Sequence, residues 1–229
     1  MGHDAAERGV VRPFRRARRG YVAELSAAER LVLAHVVGDV VELLQEQAGP
    51  GSEEAAAPSE AATIEGVAPL TAPPEEVRAP TDPAVRRLLP DAAPEDAGVS
   101  AEFRRFTQGD LAAEKSQRLL LLADLLLAGD PQDAEVLTPL VVRPDDARRV
   151  AGALTDVRVV LAERLDLRTD DQVEDLHDEV LAREAADVEE DEGVPDAARR
   201  FLASVFLMSG WLQESLVDLM LAEVRRSPR

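Results

Sequence analysis

The chain has 229 residues, 45% of them hydrophobic and 31% charged, which suffices for one globular core and does not resemble a disordered chain. A net charge of −19 opposes non-specific attachment to nucleic acid or to anionic membranes. Cysteine is absent, which excludes disulfides, thiolate metal sites and cysteine nucleophiles, and no run of 18 consecutive apolar residues marks a membrane span.

Aromatic residues make up only 3% of the chain, so the core must be built from Leu, Val and Ala, a composition that favours helices over sheet. The basic N-terminus lacks a hydrophobic h-region and does not read as a signal peptide. Residues 1–10 read as a mobile tail. The stretch RGVVRPFRRARR, residues 8–19, holds six arginines and no acid, and removing their +6 from −19 leaves −25 for the rest. Arg12, Arg15, Arg16, Arg18 and Arg19 therefore form a candidate basic arm for nucleic acid or an acidic partner. Scarce stacking aromatics and a negative overall field favour the alternative, a strand or hairpin edge laid over the acidic body, with Gly20 at its turn.

Ser26-x-x-Glu29 is a capping box before the apolar-periodic run AERLVLAHVVGDVVELLQEQ and predicts a helix over 27–48. Residues 49–80 contain six prolines with many Ala and Glu and no aromatic residue; such a segment buries too little to offset its ordering entropy and reads as a disordered, flexible insertion. Asp82 and Pro83 suit the start of a short helix that Pro90 stops. Two helical pieces follow, over 100–107 and 110–128, ending at Gly129. Pro144 and two acids open the next helix, to about 165, and Thr169 can cap an acidic one. The last helix runs from about Asp196 to Glu223. The expected fold is one all-α, helical-bundle-like domain over 1–229, of about six helices, with at most a short N-terminal β-hairpin.

The chain carries no Gly-rich phosphate loop, no G-x-S-x-G elbow and no EF-hand pattern. Glu174-x-x-His177 resembles half of a di-iron helix pair, but no second copy accompanies it. No catalytic, cofactor-binding or metal-ligating residue is therefore singled out, and no cofactor is expected. Residues 163–196 hold 15 acids against three arginines, a solvated face or a surface for a basic partner.

Polar groups on apolar helical faces are more informative. In the last helix Phe201, Val205, Met208, Leu212, Leu216 and Leu219 share a stripe; Gln213 projects within the same arc, while Glu214 sits on a shoulder with Trp211 and Leu207. In 110–128, Lys115 (the only lysine) and Arg118 share the stripe of Leu111, Leu122 and Leu126. In 144–165, Arg158 lies at the edge of Val150, Leu154, Val157 and Leu161. Buried charges need partners, so Lys115, Arg158, Gln213 and Glu214 form a candidate interhelical polar cluster, structural in role. The alternative is that the basic chains snorkel to solvent. Leu207, Trp211 and Glu214 form a candidate partner patch, because tryptophan is favoured as an interface anchor. The competing reading puts Trp211 beneath the arginine arm by cation–π contact.

The segments RRLLPDAAPEDAGVSAEFRRFT, ALTDVRVVLAERL and WLQESLV, taken together, resemble the domain-of-unknown-function family numbered two thousand and seventeen, from high-GC bacteria. Relatives often read NDLR where this chain has Thr155-Asp156-Val157-Arg158, and PDAY at Pro90-Asp91-Ala92-Ala93. The resemblance carries no activity, but such genes commonly neighbour the Clp protease adaptor, which implies protein quality control. The resulting expectation is a non-enzymatic cytoplasmic protein that binds another protein and is linked to Clp-type proteolysis, with no membrane association. A DNA-binding regulator using the arginine-rich segment is the first alternative, and an enzyme with a polar cleft around Lys115 the second. Partner identity and oligomeric state are not legible.

Overall fold

In a computed structural model of the protein, the described residues are 12–48, 77–128, 136–186 and 194–226. Helix α1 (Ala27–Ala48) begins where the Ser26–Glu29 spacing places it. The Ser26 amide donates to Glu29 Oε2 at 2.6 Å, and the Glu29 amide donates to Ser26 Oγ at 3.2 Å, so two otherwise orphaned donors are satisfied reciprocally. Helix α2 (Pro83–Leu88) has Asp82 as its cap and proline in its first turn; Asp82 Oδ1 accepts from the amide of Ala84 at 2.8 Å.

Residues 97–127 form one helix, α3 (Ala97–Leu127), where two pieces were expected. A single glycine such as Gly109 costs roughly 0.5–1 kcal/mol in a helix interior, too little to break one that is tied down beside it. The tie is Gln108: it is buried, and its Nε2 donates to the carbonyls of Ala48 at 3.1 Å and Arg78 at 3.4 Å. The same contact corrects the far boundary of the expected 49–80 insertion. Pro80 is buried and its carbonyl accepts from Arg86 Nε at 2.6 Å, so residues 77–80 are packed against the body. Residues 49–76, like the N-terminal tail 1–10, lie outside the described residues.

The N-terminal hairpin is present as β1 (Arg12–Ala17) and β2 (Gly20–Leu25), paired antiparallel with Arg16 opposite Tyr21. A strand not anticipated from the sequence, β3 (Thr138–Val142), pairs antiparallel with β2, placing Tyr21 opposite Val142 and Leu25 opposite Thr138. The sheet order is β1-β2-β3. Gly20 is required at its corner: φ is +134°, and a Cβ there would lie 2.2 Å from the Val142 carbonyl oxygen.

Helices α4 (Ala147–Arg164), α5 (Asp170–Ala186) and α6 (Val194–Arg226) complete the fold. The core is one cluster in which α1 packs chiefly on α3, and α4 on α6. Leu33, Val37 and Leu44 of α1 and Leu119, Leu122 and Leu126 of α3 are among its most buried side chains, as are Leu154 of α4 and Leu212 and Leu216 of α6. Phe14 anchors β1 on this core, and its amide donates to Ser215 Oγ on α6 at 3.0 Å. Among the described residues six helices dominate and the small sheet caps one side, so the fold is all-α in class, with an N-terminal hairpin widened by one strand. By length and composition α6 could cross a bilayer, its most apolar window having a mean hydropathy of 1.2; 44% of that window is buried within the fold.

Candidate functional site

The only lysine is held inside the helical layer. Lys115 Nζ donates to Asp156 Oδ1 at 2.8 Å, and Arg118 Nε donates to Asp156 Oδ2 at 2.6 Å. Asp156 is 2% exposed, against 13% for the Lys115 side chain and 20% for Arg118. A buried carboxylate without partners would be costly, and the two cations offset that cost. Gly152, one turn earlier on α4, leaves room for Arg118, since a Cβ there would meet Arg118 Nη1 at 3.1 Å.

On another side of α4, Arg158 Nη1 donates to Gln213 Oε1 at 2.8 Å, and Gln213 Nε2 donates to Thr155 Oγ1 at 2.7 Å. The Arg158 guanidinium lies over the Phe206 ring, 5.1 Å from its centroid, a cation–π contact. The guanidinium lies across α6 at Gly210, where a Cβ would stand in ordinary contact, 3.5 Å from Cζ. The four residues expected to form one polar cluster are thus divided. Arg158 and Gln213 meet; Lys115 pairs with Asp156 instead, and Glu214 is exposed and bonds to neither. The reason is geometric. Residues 156 and 158 are about 200° apart around a helix, so one faces α3 and the other α6. Asp156 and Thr155 are members of these networks with no place in the expected cluster, and Arg118, on the same stripe as Lys115, joins them.

Leu207, Trp211 and Glu214 line one cleft where α5 crosses α6, but only Trp211 and Glu214 of the expected patch are exposed. A cleft of about 380 Å³ is lined by Arg158, Glu174, His177, Asp178, Trp211 and Glu214, among others. Beside it a more apolar hollow of about 510 Å³ lies against Val32 of α1, Val180 of α5, and Phe201 and Met208 of α6. Trp211 and Leu207 line both. Trp211 is 37% exposed, whereas Leu207 is buried beneath it. The His177 ring meets Trp211 edge-on, with centroids 5.9 Å apart and planes at 85°. Trp211 therefore packs against α5 and not beneath an arginine; among the described residues the cation–π contacts are Arg105 on Phe106 and Arg158 on Phe206. Glu174, Asp178 and Glu214 enter no ion pair among the described residues, and no group of three or more metal-ligating side chains gathers there.

The arginine arm is largely engaged by the chain itself. Arg12 and Arg15 donate to the two oxygens of Glu24 at 3.2 and 3.0 Å, and Arg16 pairs with Glu223 near the end of α6 at 2.7 Å. Tyr21 donates its hydroxyl hydrogen to the same Glu223 carboxylate. The Arg15 hydrogen bond lowers the pKa of Glu24, while the Tyr21 hydroxyl and then Arg16 lower that of Glu223. Arg18 and Arg19 sit at the exposed hairpin turn, in no ion pair among the described residues.

The family model described as a domain of unknown function, DUF2017, matches residues 11–220, nearly the whole chain, and the chain belongs to that family. No curated protein and no solved structure matches it.

Proposed function

We propose that this member of the DUF2017 family is a non-enzymatic cytoplasmic protein that binds another protein through the surface around Trp211. Its role on this reading is that of an accessory or regulatory factor in Clp-type proteolysis, the setting that the family resemblance implies. One observation carries the binding role: the single tryptophan is exposed where two hollows meet, on a stretch of α6 whose neighbours Leu207, Met208 and Leu212 are buried. Tryptophan in such a position is a favoured interface anchor.

The chemistry elsewhere supports binding over the alternatives. An enzyme built around Lys115 would need that amine free to act, and it is committed to Asp156. A DNA-binding arm would need its arginines free for phosphate, and Arg12, Arg15 and Arg16 are paired with Glu24 and Glu223, which leaves Arg18 and Arg19 at the turn. The test is an affinity capture from the native cytoplasm with wild type and Trp211→Ala side by side, read by mass spectrometry. Partners held by the wild type and lost by the variant are expected. An identical set of partners with both proteins would rule out this surface.

A further inference from the structure

Resting on that binding role, we infer that the segment that fills the Trp211 surface is basic and amphipathic, contributed by a partner protein, with apolar anchors on one side and lysines or arginines on the other. The surface is bipartite in a way that demands both. The hollow at Val32, Val180, Phe201 and Met208 is mostly apolar, with Glu29, Arg200 and Ser204 as its polar lining and no net charge from the first two, so its occupant must bring apolar side chains there. The adjoining cleft carries the carboxylates of Glu174, Asp178 and Glu214.

These carboxylates are uncompensated among the described residues. None of them is in an ion pair among the described residues. Arg158, the one cation that lines the cleft among the described residues, is turned onto the Phe206 ring and bonded to Gln213. Three carboxylates against one guanidinium leave the cleft negative, on a chain whose net charge is already −19. An acidic segment would be repelled on approach, and a basic one steered inward. Trp211, lining both hollows, is placed to take an apolar anchor on one side and a cation against its ring on the other. Along α6, Phe201 to Glu214 spans about 20 Å, the length of a helical segment of roughly 13 residues.

The single tryptophan makes the test direct, because tryptophan emission, excited selectively over that of Tyr21, reports on this surface alone. Two synthetic peptides with leucines at helical i, i+3, i+4, i+7 spacing are titrated into the full-length protein, one with lysines and one with glutamates on its polar face. The lysine peptide is expected to shift Trp211 emission saturably, and the glutamate peptide to leave it unchanged. Glu174→Gln/Asp178→Asn/Glu214→Gln should weaken the lysine peptide roughly tenfold. A control with the same charge change on other exposed faces, Glu102→Gln/Glu114→Gln/Asp145→Asn, should stay within about twofold of wild type. Equal response to both peptides, no response to the lysine peptide, or equal weakening by the two triple variants overturns the inference. So does a dilution-dependent Trp211 signal in the protein alone, which would make a second copy the occupant. If Trp211→Ala still loses its captured partners while the lysine peptide fails to bind, the binding role stands and only the basic segment is wrong.

Discussion

Arg30 Nε donates to the backbone carbonyl of Leu126, 2.8 Å away in the last turn of α3. The same guanidinium reaches the carbonyls of Leu125 at 2.9 Å and Pro139 at 3.2 Å, so one side chain of α1 ties down a helix C-terminus and an edge strand. Arg30 is 5% exposed; burial lowers its pKa, but an arginine remains protonated there. A cation at this end complements the α3 dipole, and the carbonyls it serves have few other donors. Arg30→Met should cost about 2–3 kcal/mol in a urea titration. Arg30→Lys should recover only part of that, because an ammonium lacks the fork that reaches three acceptors.

Asp156 is the hinge of the second buried network, and the cost of removing each member should rank by what is stranded. Asp156→Ala leaves Lys115 and Arg118 facing each other without their shared carboxylate, and about 3–5 kcal/mol of destabilisation is expected. Lys115→Met leaves Asp156 bonded to Arg118 and should cost roughly 1–2 kcal/mol. Urea midpoints of the two variants compare them directly, and a larger loss from Lys115→Met than from Asp156→Ala would reverse this account of the network.

Why the sequence led to one of these networks and not the other follows from the same helical faces. Gln213 was found because it interrupts the stripe of α6 between Leu212 and Leu216, and Arg158 because it borders the stripe of α4. Asp156 and Arg30 carry the same signal: each lies three or four residues from buried positions, Ala153 and Val160 for the first, Leu33 and Ala34 for the second. A charge on an apolar stripe marks a buried ion whatever its sign, and Asp156 opposite Lys115 and Arg118 was legible on that rule. The start of α1 was fixed by side chains within one turn, and α2 likewise. Strand β3 was not, because its reason for being is Tyr21 to Leu25, more than a hundred residues away, and Pro139 argues locally against a strand. The meeting of His177 with Trp211 was hidden for the same reason: it depends on where α5 is laid across α6, which periodicity within either helix does not encode.

Three glycines separate the effects of space and backbone. Gly210→Ala places its Cβ 3.5 Å from Arg158, ordinary contact, and should stabilise α6 by roughly 0.5–1 kcal/mol through helix propensity. Gly152→Ala meets Arg118 Nη1 at 3.1 Å; the long side chain can yield by a few tenths of an ångström, so the gain in propensity should be largely cancelled. Gly20→Ala has no such escape, since its φ of +134° is unsuited to alanine and the Val142 carbonyl stands 2.2 Å from the new Cβ. A loss of more than 2 kcal/mol is expected there. Thermal melts of the three variants should rank them in that order.

The link between the sheet and the end of α6 should be visible in the titration of the one tyrosine in the chain. The hydrogen bond from Tyr21 to Glu223 raises the phenol pKa, with burial and the carboxylate charge adding to it. Tyrosinate absorbance should therefore appear above the usual value of about 10, and Glu223→Gln should bring it down. Because the folded-state pKa is raised, the stability this contact contributes is complete below the unfolded value and is lost as pH climbs through the folded one. Glu223 behaves in the opposite sense: its pKa is lowered, first by the Tyr21 hydroxyl and then by Arg16, so its contribution is present above the ordinary carboxylate value and is lost as acid protonates it. The contact between hairpin and helix is thus held across the neutral range and weakened at both extremes. A tyrosinate titration identical in wild type and Glu223→Gln would mean that the hydroxyl is not bound to Glu223 in solution, and that β1 and β2 are fastened to α6 by Phe14 and the Ser215 hydrogen bond without it.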